Sequence, residues 1–208
     1  MIPMELIRKG AEADLYLAEF GEVYFPWNQE KVLIKKRISK GYRNTELDRE
    51  LRTRRTVHEA RLLHEAKSFV NTPVLYEMNR EDCTIVMEFI EGVRAKEGLT
   101  EDIAVEIGKS IARLHEGGII HGDITTSNII IKEGIIYFID FGLGEFSHEI
   151  EPQAVDLHLL KQTLKSTHHE MWQHLWKKIL EGYKERENAQ DVISRVRDIE
   201  KRGRYVER

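Results

Sequence analysis

His121-Gly122-Asp123 runs into Asn128 with four residues between the two polar groups, and Asp140-Phe141-Gly142 follows beyond two apolar runs. Phosphoryl transfer asks little covalent chemistry of a protein. It needs a carboxylate to orient a hydroxyl and accept its proton, and oxygen ligands to hold magnesium between phosphates. Asp123 is the candidate base, and Asn128 and Asp140 are the candidate metal ligands. The apolar runs Ile129 to Ile131 and Ile135 to Ile139 flank Glu133-Gly134, a hairpin signal. Such a ribbon brings Asn128 and Asp140 to one edge, where hard oxygen donors can share a cation. An Asp-Phe-Gly tripeptide by itself often just marks a strand end. Standing 17 residues after Asp123 and joined to the H-x-D-x-x-x-x-N pattern, it points to phosphotransfer.

The first half supplies the complement. Val32-Leu33-Ile34-Lys35 reads as a strand carrying a lysine toward phosphates, and Glu59 lies mid-helix where its ion-pair partner belongs. Each has an ordinary reading alone, Lys35 as part of the basic run Lys35-Lys36-Arg37 and Glu59 as a solvated helix residue. Their order relative to the aspartates raises both, so Asp123, Lys35 and Glu59 form the expected catalytic set. Gly10-Ala11-Glu12-Ala13-Asp14 sits between strands where a loop would cover a nucleotide, with one glycine instead of three. Ile85 to Gly92 leaves a strand for a link, where the backbone of Glu88 and Ile90 can meet an adenine edge. The expected nucleotide-binding residues are Gly10, Ala11, Glu12, Ala13, Leu33, Lys35, Met87, Glu88, Ile90, Ile130 and Ile139, and the expected cofactors are ATP and Mg2+.

Several elements must position these residues. Strands are expected over 14–20, 31–36, 74–78 and 84–89, with a charged helix from Thr45, capped by a Thr45/Asp48 box, to about Lys67. From Thr100 the period becomes helical through Ile103, Ile107, Ile111 and Leu114, ending at Gly117-Gly118. Three closing helices carry the stripes Leu157, Leu160, Leu164; Trp172, Trp176, Ile179, Tyr183; and Val192, Val196, Ile199. The fold class is therefore α+β and two-lobed: a strand-rich domain over 1–90 with one long helix, and a reduced helical domain over 91–208.

Composition narrows the classes. The chain is 33% charged with a formal net charge of −4, which argues against wholesale nucleic-acid binding. Yet Lys35 to Arg61 holds ten Lys/Arg against four Asp/Glu, a solvated helix face or a surface for RNA or an acidic partner. The single cysteine, Cys83, excludes an internal disulfide and a cysteine-based zinc site. Neither a membrane span nor a signal-peptide core stands out, and a cytoplasmic protein is expected. The histidine group His168-His169 with His174 has no acidic or thiolate partner at zinc spacing and reads as surface or packing residues.

These residues together resemble the protein-kinase superfamily from Gly10 to about Leu164. More narrowly, the chain resembles the small atypical kinase subunit of the KEOPS complex. That resemblance rests on Gly10-Ala11-Glu12-Ala13, Arg54-Arg55-Thr56 leading into Glu59-Ala60-Arg61-Leu62-Leu63, His121-Gly122-Asp123 through Asn128, Ala154-Val155-Asp156-Leu157, and the Gly203-Arg204 tail. It implies a cytosolic Ser/Thr-type protein kinase or ATPase that autophosphorylates, working beside a threonylcarbamoyl-transferase subunit and other KEOPS subunits in tRNA modification. Contact with tRNA would be indirect or through the basic surface, with no membrane involved.

Departures from the ordinary kinase pattern have physical meaning. Gly122 stands where an arginine would receive an activation-loop phosphate. Thr125 stands where Ser/Thr kinases place a lysine, and Leu143 to Gln153 is short and lacks Ala-Pro-Glu. Asp156 matches the helix aspartate that hydrogen-bonds the catalytic-loop backbone. A rival class, small-molecule phosphotransferases resembling aminoglycoside kinases, needs a large helical lobe, and only 66 residues follow Gly142. The other rival, a scaffold with a decayed site, finds no support because every chemical position is filled. The tail from Lys201 to Tyr205 has no apolar stripe and Gly203 weakens a helix there, which by itself reads as a frayed, solvated end, whereas the resemblance to the KEOPS kinase implies that it docks to the transferase partner.

Overall fold

The computed structural model describes residues 4–24 and 30–206, with side chains to residue 202. The chain divides into two compact units, one of residues 1–64 and 73–90, the other of residues 65–72 and 91–208.

The first unit is an antiparallel sheet with one long helix. Strands β1 (Glu5–Lys9), β2 (Ala13–Glu19), β3 (Lys31–Arg37), β4 (Leu75–Asn79) and β5 (Thr84–Glu88) pair in the order β1-β2-β3-β5-β4. A short helix, α1 (Phe20–Val23), leaves β2, and α2 (Thr45–Ala66) joins β3 to β4. Alternation along each strand separates two faces. Ala18, Val32, Ile34 and Val86 form a buried cluster on one face, covered by Phe20, Tyr24 and Tyr76. Leu33 pairs with Met87 and Lys35 with Ile85, which puts Leu33, Lys35 and Met87 on the other face.

Helix α2 begins one residue from where the sequence suggests. Asn44 Oδ1 accepts from the N–H groups of Glu46 and Leu47, so Asn44 is the cap and the Thr45/Asp48 box is not the device used. Asp48 is turned inward instead, accepting from the Lys40 backbone and from Arg52 Nε at 2.7 Å. The Arg52 guanidinium holds its carboxyl below the usual carboxylate range. Cys83 is buried at the β4–β5 turn.

In the second unit, a three-stranded sheet of β6 (Val93–Arg94), β8 (Ile129–Lys132) and β9 (Ile135–Phe138) carries the hairpin. Its Glu133-Gly134 turn has φ of 52° and 79°, the primed geometry that matches strand twist. Two short strands, β7 (Ile119–Ile120) and β10 (Glu145–Phe146), form a second ribbon. The helices are α3 (Ala95–Gly98), α4 (Glu101–Glu116), α5 (Ile150–Thr167), α6 (Trp172–Tyr183) and α7 (Ala189–Val206). Thr100 caps α4 through its hydroxyl. Helices α4 and α6 meet backbone to backbone: a Cβ on Gly108 would lie 2.0 Å from the Ile179 carbonyl oxygen, and one on Gly182 would lie 2.0 Å from that of Val105. Any larger residue would push them apart. The predicted stripe residues Ile107, Ile111, Leu114, Leu157, Leu160, Leu164 and Ile179 are fully buried.

Helix α7 continues through Gly203 to Val206, where the sequence suggests a weakened end. Its packing side is anchored upstream by Val192, Ile193 and Val196. Glu200 accepts from Lys161 at 2.7 Å and Lys165 at 3.3 Å, and Arg195 pairs with Glu151, so α5 holds the helix by ion pairs as well. Residues 207 and 208 of the expected docking tail, and the side chains from 203, lie outside the described residues.

Candidate active site

In the second unit the hairpin and the loop before it carry Asp123, Asn128 and Asp140, and they bring the side chains of Asp123 and Asn128 into contact. Ile139 N–H donates to the Asn128 carbonyl at 3.0 Å, closing the ribbon so that Asn128 enters β8 at the end where Asp140 leaves β9. Asn128 Nδ2 donates to the Asp123 carbonyl at 3.0 Å and to Asp123 Oδ2 at 2.9 Å. Both amide protons are thereby spent on Asp123, fixing its carboxylate and leaving Asn128 Oδ1 to offer lone pairs to a cation. Asp140 is exposed and has φ of 64°, a left-handed conformation that costs about 1–3 kcal/mol and that clusters at functional sites. It persists because its neighbours are fixed: Gly142 N–H donates to Asp140 Oδ1 at 3.3 Å, and Phe141 is fully buried with its ring 4.5 Å from that of His121. An amide oxygen and a carboxylate at one hairpin end are hard oxygen donors of the kind magnesium takes.

The loop that carries Asp123 is held from below by Asp156 of α5. Its Oδ2 accepts from His121 N–H at 2.7 Å and its Oδ1 from Gly122 N–H at 2.8 Å. His121 Nε2 meets the Ile139 carbonyl at 3.1 Å, so that nitrogen carries the proton and Nδ1 accepts from Asp123 N–H at 3.3 Å. Behind Asp156 lies a buried chain that the sequence reading missed. His115 Nε2 faces Asp156 Oδ2 at 3.4 Å, its Nδ1 meets the Tyr183 hydroxyl at 2.9 Å, and Arg186 donates to that hydroxyl at 2.9 Å. Burial pushes His115 and His121 below the ordinary imidazole range and the Tyr183 hydroxyl up to about 12. His115 is therefore neutral, and Tyr183 donates to it.

Gly122 has φ of 80°, and a Cβ there would lie 2.1 Å from the Leu143 carbonyl oxygen. The segment after Asp140 thus closes against the backbone at the position where an arginine would stand in a phosphorylation-switched enzyme. Thr125 accepts at its carbonyl from Asn128 N–H at 3.0 Å, shaping the turn between base and metal ligand.

In the first unit, Lys35 and Glu59 are buried, with Lys35 Nζ 2.5 Å from Glu59 Oε1. The sequence reading missed Arg37, whose Nη2 takes Glu59 Oε2 at 2.6 Å. Gly10, Ala11 and Glu12 form the β1–β2 connection, with Ala13 opening β2. Side chains tie that connection down: Lys40 Nζ donates to the Ala11 carbonyl, and Arg55 pairs with Glu12 Oε2 at 2.5 Å. Leu33 and Met87 share Lys35's face, and Ile90 is buried beyond β5. Glu88 N–H is taken by the Val74 carbonyl at 2.8 Å and Phe89 N–H by the Lys31 carbonyl at 3.3 Å. Ile130 and Ile139, half-buried, belong to the second unit with the hairpin. His174 meets Glu101 at 2.8 Å, and among the described residues no group of three or more His, Cys, Asp or Glu is placed to hold a metal.

Comparison with known proteins bears on the family and the fold. A protein kinase domain model matches residues 19–163. A KEOPS complex subunit Bud32 of Pyrococcus abyssi is 48% identical over 99% of this chain and 98% of its own length. A probable serine/threonine-protein kinase, a BUD32 homolog of Archaeoglobus fulgidus, is 46% identical over 86% of this chain and 91% of its own. A probable bifunctional tRNA threonylcarbamoyladenosine biosynthesis protein of Methanothermobacter thermautotrophicus is 44% identical, and this chain spans 38% of its length. Among solved structures, a Rio2 kinase from Chaetomium thermophilum in complex with ADP and Mg2+ superposes with a TM-score of 0.64 at 15% identity, covering 98% of this chain and 70% of that one, a likeness of fold. Identity near one half that runs from end to end, together with the kinase domain match, makes the chain a member of the Bud32 family of atypical protein kinases.

Proposed function

We propose that the chain transfers the γ-phosphate of Mg-ATP as the kinase and ATPase subunit of a cytoplasmic KEOPS assembly that serves threonylcarbamoyladenosine formation on tRNA. The observation that carries the chemical reading is the Asn128 amide, whose nitrogen is held by Asp123 while its backbone carbonyl pairs with Ile139, the residue before Asp140. Asp123 orients the attacking hydroxyl or water and takes its proton. Asn128 and Asp140 hold Mg2+, which neutralises the charge that develops on the phosphates. Lys35, positioned by Glu59, meets the phosphates. Gly10, Ala11, Glu12 and Ala13 cover them, while Leu33, Met87, Ile130 and Ile139 line the base and the backbone of Glu88 and Ile90 meets its edge. The assembly reading rests on the names of the relatives, and the threonylcarbamoyl transferase is the expected neighbour.

Replacing Asp140 by Ala removes a metal ligand and should lower Mg-dependent release or transfer of labelled γ-phosphate by about 10² or more, as for loss of one electrostatic stabiliser. A folded Asp140→Ala protein with near-parent turnover would overturn the site.

A further inference from the structure

The polar chain behind Asp156 runs through the core of the second unit and ends at the surface. Arg186, in the turn after α6, donates through Nη1 to the Tyr183 hydroxyl at 2.9 Å and to Gln153 Oε1 at 3.0 Å. The Tyr183 hydroxyl meets His115 Nδ1 at 2.9 Å, and His115 Nε2 meets Asp156 Oδ2 at 3.4 Å. His115, Asp156, Tyr183 and Gln153 are buried, on α4, α5 and α6, while Arg186 is half-buried.

The two ends of this chain fix its direction. A guanidinium can only donate, so the Tyr183 oxygen accepts from Arg186 and its own proton is left for His115 Nδ1. A carboxylate can only accept, so His115 must present a proton at Nε2, because a lone pair there would face the lone pairs of Asp156 Oδ2. Neutral imidazole has one donor and one acceptor, and both requirements are met by the same tautomer. Asp156 then takes three donors: His115 and the His121 N–H on Oδ2, and the Gly122 N–H on Oδ1. Three donors leave its carboxylate one orientation. Apolar side chains could join the three helices at no greater cost, so packing alone does not call for a buried polar chain here.

We propose that Tyr183 and Arg186 are positioning residues for the catalytic loop, which orient His115 and through it the Asp156 carboxylate that holds the two N–H groups preceding Asp123. The turn between α6 and α7 is thereby coupled to the reacting end of the unit. The consequence for turnover rests on the reading of Asp123 as the base.

Tyr183→Phe keeps the ring and removes only the hydroxyl. Its kcat, KM for Mg-ATP, thermal midpoint and hydrogen exchange are compared with those of the parent, Arg186→Met, Arg186→Lys and Ile179→Val. The last trims the buried side of α6 one turn earlier and leaves the chain of hydrogen bonds alone. In Tyr183→Phe, kcat should fall about three- to tenfold, within the range of coupling in one hydrogen-bond network, with KM unchanged. The His121 and Gly122 amides should exchange faster relative to those of Ile107 and Ile111. Arg186→Met should change both readouts in the same direction, and Arg186→Lys should recover most of the loss. Ile179→Val should lower the midpoint and leave kcat and the relative exchange as in the parent. If Tyr183→Phe behaves like Ile179→Val, its role is packing and the proposal fails. Ring-nitrogen chemical shifts that put the His115 proton on Nδ1 would overturn it as well. If Tyr183→Phe does not fold, Arg186→Met carries the same comparison. Parent turnover in Asp123→Asn would sink the reading of the base, while amide exchange would still decide whether the chain holds the loop. Turnover lost in Asp123→Asn beside parent kcat and exchange in Tyr183→Phe would sink only the roles given to Tyr183 and Arg186.

Discussion

At Gly122 backbone packing decides which side chain can stand there. Its φ of 80° and the Leu143 carbonyl oxygen 2.1 Å from where a Cβ would stand leave room for no side chain. An arginine receptor for a loop phosphate is therefore excluded by backbone packing as well as by residue identity. Asp156 fastens the Gly122 N–H at 2.8 Å, so the loop is held by a buried carboxylate. Gly122→Ala should force Leu143 away and place alanine in the left-handed region, at a combined cost on the order of 2–4 kcal/mol. The thermal midpoint should fall by at least several degrees, and turnover with it. A midpoint and rate equal to the parent would mean that the close approach at Leu143 does not constrain the loop.

At the scale of elements, the parts legible in the sequence were those whose chemistry fixes a spacing. The Asp123, Asn128 and Asp140 positions and the Glu133-Gly134 hairpin announce themselves because phosphotransfer and a two-residue turn each tolerate few alternatives. Amphipathic stripes likewise placed α4 to α7. What stayed hidden depends on pairings far apart in the chain. Arg37 looks like part of a solvated basic run until strand register puts it on the face of Lys35 and α2 brings Glu59 to both. Nothing in the local pattern around Gly108 and Gly182 announces that they are where α4 and α6 touch. Tyr183 lies 68 residues from His115, so no local pattern could join them.

That last contact also predicts a pH dependence. His115 is neutral in the fold because burial depresses its affinity for a proton, whereas in the unfolded chain it titrates near the ordinary value of about 6.5. The folded state thus binds fewer protons below that value, and its stability must fall as pH drops from there toward the depressed folded value. His121 acts in the same direction. The thermal midpoint should decline from pH 7 to pH 5, and His115→Gln should make the decline shallower. An equally steep decline in that variant would remove His115 from the account.

For the whole molecule, the two units differ in the groups they carry. The first carries the cations, Lys35 and Arg37 on one glutamate, and the second carries the oxygen donors Asp123, Asn128 and Asp140. Among the described residues, no helix is long and apolar enough to cross a membrane. The central claim is that the second unit performs phosphoryl transfer with Asp123 as base, a role separable from nucleotide binding. Asp123→Asn keeps an acceptor for the Asn128 amide and removes the proton acceptor. The decisive measurement is single-turnover loss of γ-phosphate from Mg-ATP bound to this variant, beside its affinity for Mg-ATP. Near-parent affinity is expected, with a rate lower by about 10² or more, the scale of general-base catalysis. A rate within a few-fold of the parent at equal occupancy would contradict it.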